Sequence, residues 1–262
     1  MQMLKKMQFG MSEQWFDPAQ MNQMKADTIN GTAGDRKGYD CPTCKNRGFI
    51  AFVSEAGTLM TRDCSCMQVR KCLRQGSRSG LQAMLREKRF ENFQIHQPWQ
   101  KKMLELCQGY AAHPEGWLLL CGQSGSGKTH LCAAVCNRLL DQGYPVRYMS
   151  WRESAVQLKS LSGDYEQQQQ LLDTYKKAKV LYIDDLFKCG GRPTAADISL
   201  AFELMNYRYN GKLPTIVSTE LLPPQLAELD EAIGSRMVEL AGKNLVSIPK
   251  DIKRNYRLQK NP

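Results

Sequence analysis

A chain of 262 residues is bounded to one large domain or two unequal ones, and its 42% hydrophobic and 24% charged residues exclude wholesale disorder. The longest apolar runs, such as Trp117-Leu118-Leu119-Leu120-Cys121, are too short for a membrane span or a secretory leader, which predicts a soluble cytoplasmic protein. The net charge of +10 is uneven. Residues 62–89 carry Arg62, Arg70, Lys71, Arg74, Arg78, Arg86, Lys88 and Arg89 against Asp63 and Glu87. Such a block suits a polyanion, nucleic acid first; the plain alternative is a solvated basic helix face.

In chain order, residues 1–38 read as a Met- and Gln-rich leader ending in the turn-rich linker Asn30–Gly38. Leu4, Met7 and Met11 would share one side of a short amphipathic helix there, or the leader is flexible. Residues 39–75 hold five of the ten cysteines, and without an export signal these point to metal ligands rather than disulfides. Cys41-x₂-Cys44 precedes the short strand Gly48-Phe49-Ile50, and Cys64-x-Cys66 follows another. Two hairpin strands that bring paired thiolates together make a closed four-cysteine zinc ribbon, with Cys41, Cys44, Cys64 and Cys66 as ligands. Bound zinc would also hold so short a segment folded. The second pair is tighter than C-x₂-C, so Cys72 is a candidate replacement ligand; an iron–sulfur cluster and free thiols are the alternatives. Cys107, Cys121, Cys132, Cys136 and Cys189 are scattered among apolar residues and are expected to be buried thiols. Residues 76–112 form a helical connector in which Phe90, Phe93 and Trp99 cap the next domain.

Residues 113–262 alternate strand and helix. Strands are expected at 117–121, 146–151, 180–186, 214–220 and 244–249. Helices are expected at 128–141, in one or two pieces over 152–178, and at 195–210 and 231–241, with Gly211 as a stop. Uninterrupted apolar strands between helices define an α/β domain with a parallel sheet covered on both faces.

Gly122-Gln123-Ser124-Gly125-Ser126-Gly127-Lys128-Thr129 matches G-x-x-x-x-G-K-[ST] in full and falls between a buried strand and a helix. Its glycines free backbone N–H groups to wrap a phosphate at a helix N-terminus. Lys128 would reach the β- and γ-phosphates of ATP, and Thr129 would offer its hydroxyl to magnesium. Asp184-Asp185 ends a strand beside this loop. The first carboxylate is the candidate magnesium ligand, and the second would orient or deprotonate water. Ser218-Thr219-Glu220 ends the next strand, where a polar side chain would sense the γ-phosphate. Arg236, in Gly234-Ser235-Arg236-Met237, is a candidate trans-acting finger; its plain reading is a solvated surface residue.

Together CPTCKNRGFI, DCSC, GQSGSGKTH, VLYIDDL, IVSTE, DEAIGSRMVEL and the terminal NYRL resemble the DnaC/DnaI-type AAA+ loaders of the bacterial replicative helicase, a lineage shared with the IstB transposition ATPases. The resemblance covers roughly residues 41–260. It implies an AAA+ core with a five-stranded parallel sheet and no lid domain, ATP with magnesium at Gly122–His130, and self-association that places Arg236 in a neighbour's site. For the sensor it implies Thr219 or Glu220, although many relatives carry Asn where Glu220 stands; Arg254 and Arg257 are candidates for a second sensor. Arg152, Lys159, Phe187 and Lys188 fall where family members line a channel for single-stranded DNA. The zinc-bearing domain would dock the hexameric helicase. The rival readings are a transposition helper that remodels duplex DNA and a non-catalytic ssDNA-binding module that holds ATP for assembly.

Overall fold

A computed structural model describes residues 17–67, 69–71 and 83–259, so Leu4, Met7, Met11, Cys72, Arg74 and Arg78 lie outside the described residues. The chain divides after Met67 into two compact units, earlier than the boundary at 75 expected from the cysteine spacing.

In the first unit, helix α1 (Pro18–Gly31) starts with Asp17 accepting from the Ala19 N–H and with Pro18 in its first turn. It packs on an antiparallel hairpin of β1 (Phe49–Val53) and β2 (Leu59–Asp63). Asn30 and Gly31 of the expected linker therefore belong to this helix, and beyond them the Gly34 and Arg36 N–H groups donate to the Lys45 (2.6 Å) and Asn46 (3.2 Å) carbonyls. Asn30 lies in the last turn of α1, and its amide both donates to the Ala51 carbonyl (2.8 Å) and accepts from the Ala51 N–H (3.0 Å). Arg47 closes the helix by donating to the carbonyls of Ile29 and Thr32. Gly34 lies so close to Arg47 that a Cβ would stand 2.6 Å from its backbone. Asn30 and Gly34 act here as a helix end and a packed crossing, a role their turn propensity does not distinguish from a linker.

The second unit is a five-stranded, all-parallel sheet in the order β4-β5-β6-β3-β7. The strands are β3 (Trp117–Gly122), β4 (Val146–Ser150), β5 (Val180–Leu186), β6 (Thr215–Thr219) and β7 (Leu245–Ile248). Alternation divides their side chains between two cores. Leu118, Leu120, Tyr148, Tyr182 and Ile216 face α2 (Pro98–Ala112) and α3 (Lys128–Asp141). Trp117, Leu119, Met149, Leu181, Ile183 and Val217 face α4 (Trp151–Ser160), α5 (Tyr165–Lys176), α6 (Ala195–Asn210), α7 (Pro223–Leu229) and α8 (Glu231–Ala241). Each fully buried Leu of β3 contributes about 1.5–3 kcal/mol, which is why its apolar run tolerates no polar residue on either face.

Helix α7 was not expected. Pro223-Pro224 reads as a breaker, yet prolines are tolerated in a first turn, and Leu226 behind them is fully buried. At the sheet end opposite the P-loop, Arg208 of α6 is fully buried. It donates to the carbonyls of Tyr175, Lys176, Ala178 and Pro214 and to Thr215 Oγ1, which ties α5 and β5 to β6. Burial pushes its pKa down to about 10, so it remains a cation at neutral pH. No helix of the described residues is long and apolar enough to cross a membrane.

Candidate active site and metal centre

Strand β3 ends in the phosphate loop, and three glycines make its path possible. Gly122, Gly125 and Gly127 have φ of +111°, +75° and +93°, in the region that disfavours other residues. The loop is also tightly packed: a Cβ at Gly122 would stand 2.0 Å from the Ile248 carbonyl and one at Gly125 2.1 Å from Asn255 Oδ1. Gly127 caps α3, whose first residues are Lys128 and Thr129. Lys128 Nζ donates to the carbonyls of Gly122 (2.6 Å) and Gln123 (2.8 Å). Burial pushes the Lys128 pKa down, and the nearby carboxylates of Asp185 and Glu220 oppose that shift.

Thr129 Oγ1 donates to Asp184 Oδ1 at 3.1 Å, which puts two hard oxygen donors side by side as a magnesium ion requires. Asp184 is held from three further directions: Tyr182 OH (2.6 Å) and Ser218 Oγ (2.6 Å) donate to Oδ1, and Tyr148 OH (3.3 Å) donates to Oδ2. Ser218 Oγ also accepts from the Asp185 N–H at 3.0 Å. Tyr148 and Tyr182 were missed from sequence, and Ser218 was read only as part of a strand end that would sense phosphate, not as a support of Asp184. The available signal was a hydroxyl inside an apolar strand, since a buried Tyr requires a polar partner.

A cavity of about 460 Å³ opens over the loop, lined by Ser124–His130, Asp185, Lys188 and Glu220 and, on its other wall, by Lys88, Asn92, Phe93 and Tyr256. That volume lies in the ordinary range for a bound small molecule. Phe93 meets His130 edge-on at 5.2 Å, and His130 Nε2 lies 2.9 Å from the Arg89 carbonyl. Tyr256 OH donates to Gln94, its N–H donates to the Gly125 carbonyl (3.0 Å), and its ring stacks on His96. Segments from both ends of the unit thus cover the phosphate loop. Gln123 turns away to accept from the Asp251 N–H at 2.6 Å, while Ser126 Oγ donates to the Gln123 carbonyl at 2.7 Å.

Several expected roles do not match the placement. Thr219 is fully buried with its hydroxyl on the Leu186 carbonyl (2.9 Å); strand alternation turns it away from the cavity that Glu220 lines. Phe187 is buried edge-on against Trp151, and Lys159 is paired with Asp197 at 2.7 Å, so neither is free to line a channel; Arg152 is exposed. Lys188 is turned into the site, bonded to Asp185 (3.0 Å) and Glu220 (2.8 Å). Arg254 lies 3.8 Å from Asp251 and does not line the cavity; the side chain of Arg257 lies outside the described residues. Arg236, expected to act in a neighbour's site, does not line the protein's own phosphate loop cavity and rests over the rings of Phe202 (5.3 Å) and Tyr209 (5.4 Å).

In the first unit, Cys41, Cys44, Cys64 and Cys66 are buried, and their sulfurs all lie within 4.8 Å of one another. Cys41 and Cys64 are 3.8 Å apart and Cys44 and Cys66 3.4 Å. A tetrahedral ion with metal–sulfur bonds of about 2.3 Å separates its ligands by about 3.8 Å, so the four thiols fit one ion. Burial disfavours the Cys44 thiolate, but the Gly48 N–H and the Cys66, Cys41 and Cys64 thiols outweigh it and bring its pKa down to about 6. This hairpin is zinc-ribbon-like.

A phosphate loop between β3 and α3, an acid pair on the strand β5 and the 4-5-6-3-7 parallel order define an AAA+ P-loop ATPase. The model of the IstB-like ATP binding proteins matches residues 47–239, and the chain belongs to that family. It is 36% identical to the phage-like element PBSX protein XkdC of Bacillus subtilis (strain 168), over 82% of this chain and 84% of that one. It is 25% identical to the replicative helicase loader DnaC of Escherichia coli (strain K12), over 72% of this chain and 78% of that one. The crystal structure of a DnaC helicase loader shares the fold with a TM-score of 0.55 at 20% identity, over 65% of this chain and all of that one. That of DnaI gives 0.53 at 21% identity, over 65% and 94%.

Proposed function

We propose that this ATPase loads a hexameric replicative DNA helicase onto single-stranded DNA. The observation that carries the reading is an acid pair beside the phosphate-loop threonine on the same chain as a four-cysteine hairpin, in a chain similar to a protein named as a helicase loader. The hairpin takes zinc, the ion that buried four-thiolate sites favour as a closed structural centre. With the helix before it, this ribbon is the helicase-docking domain, and the domain carrying the phosphate loop is the motor.

At the motor, the backbone of Gly122–Gly127 cradles the phosphates. Lys128 releases its two loop carbonyls to bind them, and Thr129 with Asp184 would hold magnesium, which would supply charge neutralisation for phosphoryl transfer. Tyr148, Tyr182 and Ser218 fix Asp184, which leaves Asp185 to accept the proton of the attacking water. Arg236 serves a neighbouring protomer, so hydrolysis requires self-association.

Native mass spectrometry of the chain mixed with its replicative helicase, with and without ATP, tests the reading. Several copies per helicase hexamer, each with one zinc, are expected. Absence of any complex alongside tight duplex binding favours the DNA-remodelling rival. Equal ATPase rates for the wild type, Lys128→Ala and Arg236→Ala would favour the non-catalytic one.

A further inference from the structure

Asp185 and Glu220 both line the cavity over the phosphate loop. A nucleotide's terminal phosphate carries the same sign of charge. Like charges a few ångströms apart at a protein surface repel strongly, so a bare Glu220 is a poor group to present to phosphate. Lys188 stands between these acids, with Nζ 2.8 Å from Glu220 Oε1 and 3.0 Å from Asp185 Oδ2. Glu220 also bonds to Ser124 of the phosphate loop, which completes a relay from the loop through Glu220 to the ammonium.

The backbone is bent to make this arrangement. Asp185 and Phe187 adopt φ of +54° and +61°, a left-handed conformation that strains non-glycine residues. Phe187 is anchored by burial against Trp151, and the Lys188 N–H donates to the Asp185 carbonyl at 2.9 Å. The two kinks fold the chain back so that Lys188 overhangs Asp185. Burial opposes its charge, yet the bonds to Glu220 and Asp185 outweigh burial and raise its pKa. Burial likewise opposes ionisation of Glu220, and the Lys188 bond outweighs it and lowers that pKa. The pair is ionised at neutral pH.

We propose that Lys188 is the catalytic residue that contacts the terminal phosphate from the strand side of the cavity, and that Glu220 is a positioning residue that aims it. The proposal rests on Asp185 and the phosphate loop forming the hydrolysis site. It assigns Lys188 to the chemistry and removes it from the DNA-channel group.

Steady-state ATP hydrolysis by the full chain, with mant-ATP binding measured alongside, separates the roles. Lys188→Met should lower kcat by roughly ten- to a hundredfold, the effect of removing one preorganised charge-stabilising donor, while mant-ATP affinity stays close to wild type. Lys188→Arg should recover most of the rate. Glu220→Gln should cost less than Lys188→Met, because the amide oxygen still accepts from the ammonium. Thermal melts matching wild type confirm that each variant is folded. Wild-type turnover by Lys188→Met, or a larger loss in Glu220→Gln, overturns the assignment. A wild type no faster than Lys128→Ala would instead remove the site on which it rests, and the assignment with it.

Discussion

The two units are held together by different interactions. Between residues 17 and 67, the buried side chains besides the four cysteines are Ala26, Ala51 and Arg47. Met21, Met24 and Met60 stay largely exposed. From β3 to β7, two continuous layers of Leu, Val, Ile and aromatic residues sandwich the sheet. The small unit lacks the apolar area that offsets chain entropy, and polar clamps (Asn30 on Ala51, Arg47 on the end of α1) with a four-thiol staple take its place. The large unit needs no staple. A protein that joins two such units should lose them independently.

Metal removal tests this difference most severely. A structural zinc site contributes on the order of 10 kcal/mol, more than a unit this small can supply by burial. Chelation, or Cys44→Ser, should abolish amide protection in 49–63 while protection across 117–122 and 180–186 persists, as read by hydrogen exchange with mass spectrometry. Retained protection in 49–63 after verified metal loss would mean that the polar clamps suffice.

A single buried cation tests the other side of the comparison. Arg208→Met keeps the volume but leaves the carbonyls of Tyr175, Lys176, Ala178 and Pro214 without their donor. The expected loss is about 3 kcal/mol, or roughly 6–12 °C in the Tm of the α/β unit, with the metal-bound hairpin unaffected. A change below about 1 kcal/mol would show that water replaces the guanidinium without cost.

The contrast also explains which features the sequence made legible. Strands β3 to β7 announce themselves because burial on both faces demands apolar runs, and the phosphate loop because three positive-φ positions demand glycine. The cysteine pairs announce a four-thiol cluster by their spacing. Helix α1 did not: with Ala26 as its only buried side chain, it has no apolar stripe to read, and its contacts are made by Asn30 and by Arg47 from outside the helix. In the site, Ser218 and Thr219 look equivalent as letters. Strand alternation sends Ser218 to the acids and Thr219 into the opposite core, a distinction that depends on register. The pairing of Lys188 with Asp185 and Glu220 was not legible, because two left-handed residues redirect the chain after β5 and neither Asp185 nor Phe187 is the glycine that would have signalled it.

The smallest effect concerns a charge that trims the large unit rather than framing it. Thr194 and Asp197 form a capping box at the start of α6, and Lys159 of α4 donates to Asp197 at 2.7 Å. Burial favours the neutral acid, but the bonds from Lys159 and Thr194 outweigh it and hold the Asp197 pKa below its usual value. A depressed carboxylate pKa contributes stability that is complete above the unfolded value, near 3.9, and disappears as pH falls through the folded value. Asp197→Asn keeps an acceptor for the cap and removes the charge together with the oxygen that accepts from Lys159. At pH 7 it should cost about 0.5–1 kcal/mol by urea unfolding, the scale of a cap or partly exposed ion pair. The difference from wild type should shrink between about pH 4 and pH 2. A gap that stayed constant over that range would assign the cost to the shape of the cap and leave the Lys159 pair with no share in holding α4 to α6.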